Sequence, residues 1–172
     1  MKFDSTTNDI VEISDGISFN DVYKKPYVPI ELIDEIKSAS VLLLPYENFR
    51  EKVDYCFPEE TYNFYKFILD NTKEKNIKTE ICISDEHYKE IELHADTINI
   101  PDIIMSNLVF KVIVKTIKHY LFNKKKIYAR DDLRFKVDMT VVKGKKSKKI
   151  KYEGNIENFE RVMKSFDENG FK

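Results

Sequence analysis

Glycine is scarce in this 172-residue chain, which contains only Gly16, Gly144, Gly154 and Gly170. Loops that hold phosphates need several glycines close together, because only glycine lets the backbone approach the ligand so closely. The sequence contains no GxGxxG, GxxxxGKS/T or GxSxG motif. These absences disfavour a dinucleotide-binding Rossmann enzyme, a P-loop NTPase and an α/β-hydrolase.

Cysteine is rarer still, with two residues, and tryptophan is absent. Cys56 and Cys82 form no CxxC pair and have no histidine at zinc-ligand spacing, so we predict neither a redox site nor a zinc site, and no cofactor. Cys82 lies in the apolar run ICI and is expected to be an ordinary buried thiol. The bias toward Lys, Ile, Asn, Tyr and Phe is typical of a low-GC genome. We expect a bacterial or mobile-element setting, such as a phage or a phage-defence system.

Long apolar runs are missing as well. No stretch reaches the roughly 18 uninterrupted apolar residues of a membrane helix, so no membrane contact is predicted. The first residues, MKFDSTTNDIVEIS, have neither a basic region nor a long apolar region. We therefore expect no secretory signal and a cytoplasmic location.

Apolar periodicity is the strongest positive signal, in a chain that is 42% hydrophobic and 34% charged. The stretch from Pro101 to Asn123 predicts a central helix with Leu108 on its apolar face, and Pro101 and Asp102 suit a first helical turn. An aromatic-rich helix is predicted at about 59–75, and a C-terminal helix at about 155–168.

Short apolar or alternating runs predict the strands. A DG turn predicts a small hairpin over residues 10–20. Further strands are expected over 41–44, 79–84, 90–95, 133–142 and 150–152, and a short helix over 30–38. These elements predict an α+β fold, or an α/β fold as the alternative, with a mixed sheet of about five to seven strands. Residues 29–172 would form one domain, and residues 1–28 an N-terminal hairpin and linker.

The charge distribution is strongly asymmetric although the net charge is only −1. Residues 1–100 hold 11 Lys and Arg against 21 Asp and Glu, whereas residues 101–172 hold 18 against 9. The two parts therefore carry net charges of −10 and +9. Such asymmetry indicates an anionic partner or self-association.

Within the basic part, lysines concentrate around the predicted turn at Gly144. They are Lys143, Lys145, Lys146, Lys148, Lys149 and Lys151, with Lys124 to Lys126 as candidates to lie nearby. A hairpin of this kind can follow a phosphate backbone, contact an acidic protein surface, or simply be a solvated turn. No RNP signature, GXXG loop or zinc-finger spacing supports a named nucleic-acid module.

A second cluster lies in the stretch SDEHYKEIELHAD. The side chains of His87, Glu90, Glu92 and His94, with Asp85 nearby, are of the types that ligate Mn, Fe or Zn. However, the polar face of an edge strand looks the same, and one strand spaces its ligands almost 7 Å apart, too far for one ion without help from another element.

These observations favour a non-enzymatic binding or adaptor protein that acts through its basic hairpin and its acidic N-terminal part. The expected partner is an acidic protein surface or a second copy, giving a homo-oligomer, with nucleic acid as another candidate. The alternative is a small metal-dependent enzyme, such as a nuclease, that uses the 85–94 cluster. No catalytic dyad is predicted, because burial and partners cannot be read from the sequence.

Overall fold

The computed structural model describes residues 9–49, 54–93, 97–128 and 133–172. The helices of these residues are α1 (Phe19–Tyr23), α2 (Ile33–Ser38), α3 (Thr61–Thr72), α4 (Phe110–Tyr128) and α5 (Ile156–Asn169). The strands are β1 (Ile10–Asp15), β2 (Val41–Leu44), β3 (Phe57–Pro58), β4 (Thr79–Ile81), β5 (Glu90–Ile91), β6 (Thr97–Asn99), β7 (Asp102–Ser106), β8 (Arg134–Lys143) and β9 (Lys146–Gly154). Short 3₁₀ turns lie at Ile30–Leu32, Asp85–His87 and Asn107–Val109.

One mixed seven-stranded sheet organises the fold. Its order is β1-β9-β8-β7-β2-β4. Strand β6 pairs with the first residues of β8, on the same edge that β7 occupies further along. Strands β3 and β5 form a separate parallel pair. Strand β8 is antiparallel to β9 and parallel to β6 and β7. Gly144 has a φ of +62°, which gives the two-residue turn between β8 and β9 the positive φ that glycine adopts without strain.

Three helices cover one face of the sheet. Helices α3, α4 and α5 pack on the alternate residues Phe135, Val137, Met139 and Val141 of β8, together with inward-facing residues of β2, β7 and β9. Aromatic rings fill this core: Phe159 of α5 meets Phe135 edge-on, with ring centres 5.0 Å apart. Helix α4 is therefore buried between the sheet and its two neighbouring helices.

The opposite face is covered over only part of its width. Val22 of α1 and Ile36 of α2 pack with Leu42, Leu44 and Ile104 over β2 and β7. Because side chains alternate along a strand, the residues of β1, β8 and β9 between the core positions point to this second side. We call them the open face: Ile10, Glu12, Ser14, Lys136, Asp138, Thr140, Ser147, Lys149, Lys151 and Glu153.

The class predicted from the sequence is confirmed: the fold is α+β, with a mixed sheet and a single compact domain. The aromatic-rich helix, the C-terminal helix and the buried strand at Val41–Leu44 are all present. Strands β2 and β4 are parallel, with helix α3 in the connection between them.

The prediction of one helix over 101–123 is wrong in its first part. Residues Asp102–Ser106 form strand β7, and helix α4 begins only at Phe110. Ile103 and Met105 face the core under the long helices, whereas Ile104 faces the core under α1 and α2. A strand that is covered on both faces is therefore apolar at every position, and its sequence resembles that of a buried helix. Leu108 lies in the turn between them and is 86% exposed.

The predicted hairpin over residues 10–20 is also wrong. Its first half is β1, which pairs antiparallel with β9 over its whole length. The backbone N–H of Gly16 donates to the carbonyl oxygen of Ser147 at 3.0 Å, so the chain continues along β9 instead of turning back. Ser18 then caps α1 through a reciprocal capping box with Asp21.

A buried carboxylate fastens the start of β1 to the rest of the fold. The side chain of Asp9 is fully buried and forms an ion pair with Arg134 at 3.1 Å. Nδ2 of Asn158 donates to Oδ2 of Asp9 at 2.7 Å. A Cβ at position 154 would lie 2.4 Å from the carboxyl carbon of Asp9, which explains why glycine occupies this end of β9.

We expect Asp9→Ala to lower the free energy of unfolding by about 2–4 kcal/mol, because it removes the buried acceptor that the Arg134 guanidinium and the Asn158 amide share. Urea unfolding measures the loss. Asp15→Ala is the matched control at the other end of β1, since its carboxylate is 89% exposed and its ion pair with Lys148 is a surface contact. Equal losses in the two variants would contradict this account.

Candidate functional site

The hairpin lysines occupy two sides of the sheet. Lys149 and Lys151 belong to the open face, while Lys146 and Lys148 alternate with them on the side of the long helices. Lys145 lies in the turn, and Nζ of Lys143 is 5.8 Å from the centre of the Phe171 ring. The six lysines therefore form a tip and a separate pair. We call Lys143, Lys145, Lys146 and Lys148 the lysine tip.

Most charge of the lysine tip is not neutralised within the molecule. Lys148 pairs with Asp15 at 2.7 Å, whereas Lys143, Lys145 and Lys146 have no ion pair among the described residues and are exposed. Helix α4 differs sharply, because four of its lysines contact carboxylates of neighbouring elements. These pairs are Lys111–Asp167, Lys118–Glu160, Lys124–Glu60 and Lys125–Glu157.

Lys124 to Lys126 do not join the lysine tip, so that part of the hypothesis is wrong. Helix α4 starts just after Ser106, whose register partner Val142 lies beside the hairpin turn. The helix then runs about 28 Å away from it, at roughly 1.5 Å per residue. Lys124 instead contacts Glu60 at the start of α3.

Acidic side chains collect at the other edge of the sheet. Helix α2 and the turn before it carry Glu31, Asp34 and Glu35, which are exposed, and Glu80 lies on the neighbouring strand β4. Burial and the nearby Glu35 raise the pKa of Glu80, and Lys78 partly offsets this effect. We call these four residues the acidic edge.

The predicted metal-ligating residues have other contacts. Both carboxylate oxygens of Glu90 accept backbone N–H groups at the start of α3, from Glu60 at 2.7 Å and from Tyr62 at 3.0 Å. Such a carboxylate caps the helix and complements its dipole. Nδ1 of His87 is 2.8 Å from the Ser84 hydroxyl, and Glu92 is exposed.

His94 lies outside the described residues. Within those that the structure describes, no three His, Cys, Asp or Glu side chains come close enough together to hold a metal ion. The metal site therefore stays a prediction, and its residue Glu90 has a structural role.

A pocket of about 620 Å³ opens where the covered half of the second face meets the open face. It is lined by residues that include Asp102, Asp138, Tyr46, Phe49 and Asn99. The two aspartates directly precede the register pair Ile103 and Met139 of β7 and β8, so their backbones are about 5 Å apart and their side chains share one face. We call this the carboxylate pocket.

The electrostatics of the carboxylate pocket are unusual for this molecule. Burial and then the neighbouring Asp138 raise the pKa of Asp102 to about 7, although Lys149, Lys136 and Lys151 act in the opposite direction. Oδ1 of Asp138 is fully buried and has no hydrogen-bond partner among the described residues. Burial and these two carboxylates also raise the pKa of Tyr46, which indicates that its hydroxyl lies near them.

The sequence does not reveal this pocket. It predicts a first helical turn at Asp102 and an alternating strand at Asp138, where a polar residue is ordinary. Only the register of β7 on β8 brings the two together. The available signal was Asp102 itself, an acidic residue at the start of a buried apolar run. If that run is read as a strand, its acidic side chain must lie beside residues of the neighbouring strands.

The cysteines offer no reactive group. Cys82 is fully buried, and burial raises the pKa of its thiol to about 12. Cys56 is also buried, and burial raises the pKa of its thiol as well. Since the thiolate is the reactive form, both side chains act as apolar core residues.

Comparison with protein-family models, curated proteins and solved structures finds no match to this chain. The class is therefore defined by the fold alone, as a single-domain α+β protein with a mixed sheet that is half covered on its second face. Among the helices of the described residues, none is long and apolar enough to cross a membrane.

We expect the stability of this protein to fall as pH rises from about 4 to about 7, because of Asp102. Its pKa in the folded protein is raised above the ordinary value of 3.8, so between these two values the unfolded chain loses the proton that the folded protein keeps. Above about 7 both states are ionised and the loss is complete. The loss is up to about 4 kcal/mol, at roughly 1.4 kcal/mol per unit of pKa shift.

Asp102→Asn should remove this dependence. Urea unfolding at about pH 5 and about pH 8 should show the variant gaining stability relative to wild type at the higher pH. Glu12→Gln is the control, since Glu12 is an exposed carboxylate in the same row of the open face. If the free energies of unfolding of wild type and Asp102→Asn differ by the same amount at both pH values, the raised pKa of Asp102 is contradicted.

Proposed function

We propose that this protein is a non-enzymatic binding protein that self-associates, with the lysine tip of one copy docking on the acidic edge of another. The observation that carries the proposal is the contrast in charge pairing. Four lysines of α4 contact carboxylates, whereas Lys143, Lys145 and Lys146 have none among the described residues. Exposed and uncompensated cations at a protruding turn favour an anionic partner.

The two surfaces cannot neutralise each other within one molecule. Four strand spacings separate β9 from β4, which is about 19 Å. This exceeds the Debye length of about 8 Å at physiological salt. Different surfaces that meet between copies produce a head-to-tail, heterologous contact. The sequence asymmetry of −10 and +9 would then drive association.

A protein partner fits the surroundings of the lysines better than nucleic acid does. Asp15 and Asp21 line the same groove as Lys145 and Lys146, and they would repel a phosphate backbone. On the open face, Lys149 and Lys151 lie beside carboxylates, and none of the open-face residues is aromatic. Base stacking therefore has no platform there, whereas mixed charges suit a protein surface.

Sedimentation velocity at low and high salt tests the proposal. At tens of micromolar protein and low salt, we expect an apparent mass above the monomer value of 20.4 kDa, which falls toward it as salt rises. The variant Lys143→Glu/Lys145→Glu/Lys146→Glu should stay monomeric. Mixing it with the variant Asp34→Lys/Glu35→Lys should restore association, because the now acidic tip of one variant can dock on the now basic edge of the other.

Lys66→Glu/Lys115→Glu/Lys126→Glu is the matched control, since it makes the same change in net charge at exposed positions of α3 and α4. It should associate like wild type. The proposal fails if wild type is monomeric at every salt concentration. It also fails if a labelled DNA or RNA duplex sediments with monomeric wild type and is lost with the lysine-tip variant, because the partner is then nucleic acid.

A further inference from the structure

We propose that the carboxylate pocket binds a small flat cation, an amidinium or a guanidinium, on the carboxylates of Asp102 and Asp138. This site is separate from the lysine tip and does not depend on self-association. Its volume of about 620 Å³ is in the range of small-molecule sites, and the pocket is open to solvent.

The unpartnered oxygen of Asp138 is the main argument. A buried carboxylate oxygen without a hydrogen bond is unfavourable, because it has lost water and gained no donor. Asp9 shows how this protein treats a buried carboxylate that serves only the fold, since it contacts both Arg134 and Asn158. Oδ1 of Asp138 has neither such a contact among the described residues nor surface open to water, so the charge of this carboxylate is poorly compensated. Because the Asp138 side chain lines the pocket, a cation bound there would compensate that charge.

A second carboxylate beside the first specifies the donor geometry. Asp102 and Asp138 share one face of adjacent parallel strands and both line the pocket, so their carboxyl groups are neighbouring acceptors. A planar group with two or more parallel N–H donors fits such acceptors and forms charge-assisted hydrogen bonds. Ligand charge would also compensate the repulsion that helps raise the pKa of Asp102.

The pocket wall favours a flat ligand. The rings of Tyr46 and Phe49 are stacked, with centres 5.7 Å apart and planes inclined by 25°. Both rings line the pocket that holds the carboxylates. Delocalised planar cations stack on aromatic faces better than a compact ammonium does.

A divalent metal ion fits less well. The described residues provide no group of three His, Cys, Asp or Glu side chains at ligand spacing. Lys136 also lines the pocket, and it would repel a doubly charged ion more than a delocalised single charge.

Calorimetric titration with benzamidine and with agmatine tests the proposal, with n-butylamine as the non-planar comparison. We expect benzamidine or agmatine to bind with a Kd below about 1 mM and at least tenfold more tightly than n-butylamine. Affinity should rise between about pH 5.5 and about pH 8, because ionised Asp102 is the binding form. Asp138→Asn should weaken binding at least tenfold, and Glu12→Gln should leave it unchanged.

Melting temperature and circular dichroism verify that each variant is folded. If Asp138→Asn does not fold, Tyr46→Leu gives the same test, with an expected loss of severalfold in affinity. The proposal is overturned if neither planar cation binds at about 10 mM, since the two aspartates then only share a proton. It is also overturned if Mn²⁺ raises the melting temperature in wild type but not in Asp138→Asn while the organic cations bind to neither.

Discussion

The unequal covering of the two faces of the sheet is the constraint on which the rest of this structure depends. Helices α3, α4 and α5 cover one face, whereas α1 and α2 cover the other face only at the end formed by β7, β2 and β4. Strands beneath both layers must be apolar throughout, as Val41–Leu44 is. Strands β8 and β9 extend beyond α1 and α2, so their second face carries charge. The lysines and the carboxylate pocket both follow from this arrangement.

Two aspartates with buried oxygens show how the same chemical group can serve different purposes. Asp9 joins β1 to β8 and α5 through an ion pair and an amide donor, so its burial is compensated. Asp138 lies where covering ends, and one of its oxygens is buried without compensation. Buried polar groups without a hydrogen bond destabilise a fold, so their presence calls for another role. This contrast distinguishes a structural carboxylate from a candidate binding group.

Sequence patterns predicted the elements whose period was unambiguous. Alternation predicted β8 and β9, and helical spacing predicted α3 and α5. The run Ile103 to Met105 was wrongly predicted as helix, because an unbroken apolar segment fits a central strand and a buried helix equally. Pairing between distant residues could not be predicted: Asp102 and Asp138 meet only through strand register, and Glu90 reaches the start of α3 only in the folded chain. The strand period does predict that Lys149 and Lys151 face away from Lys148. It does not predict which lysines form ion pairs with carboxylates.

The most direct measurement of the central claim is zero-length carbodiimide crosslinking of an equal mixture of ¹⁴N- and ¹⁵N-labelled protein, followed by peptide mass spectrometry. Isotopically mixed peptide pairs report contacts between copies. The account predicts mixed crosslinks that join Lys143, Lys145 or Lys146 to Glu31, Asp34, Glu35 or Glu80, and their loss at high salt. Mixed crosslinks confined to other lysines, or none at all at low salt, would contradict it.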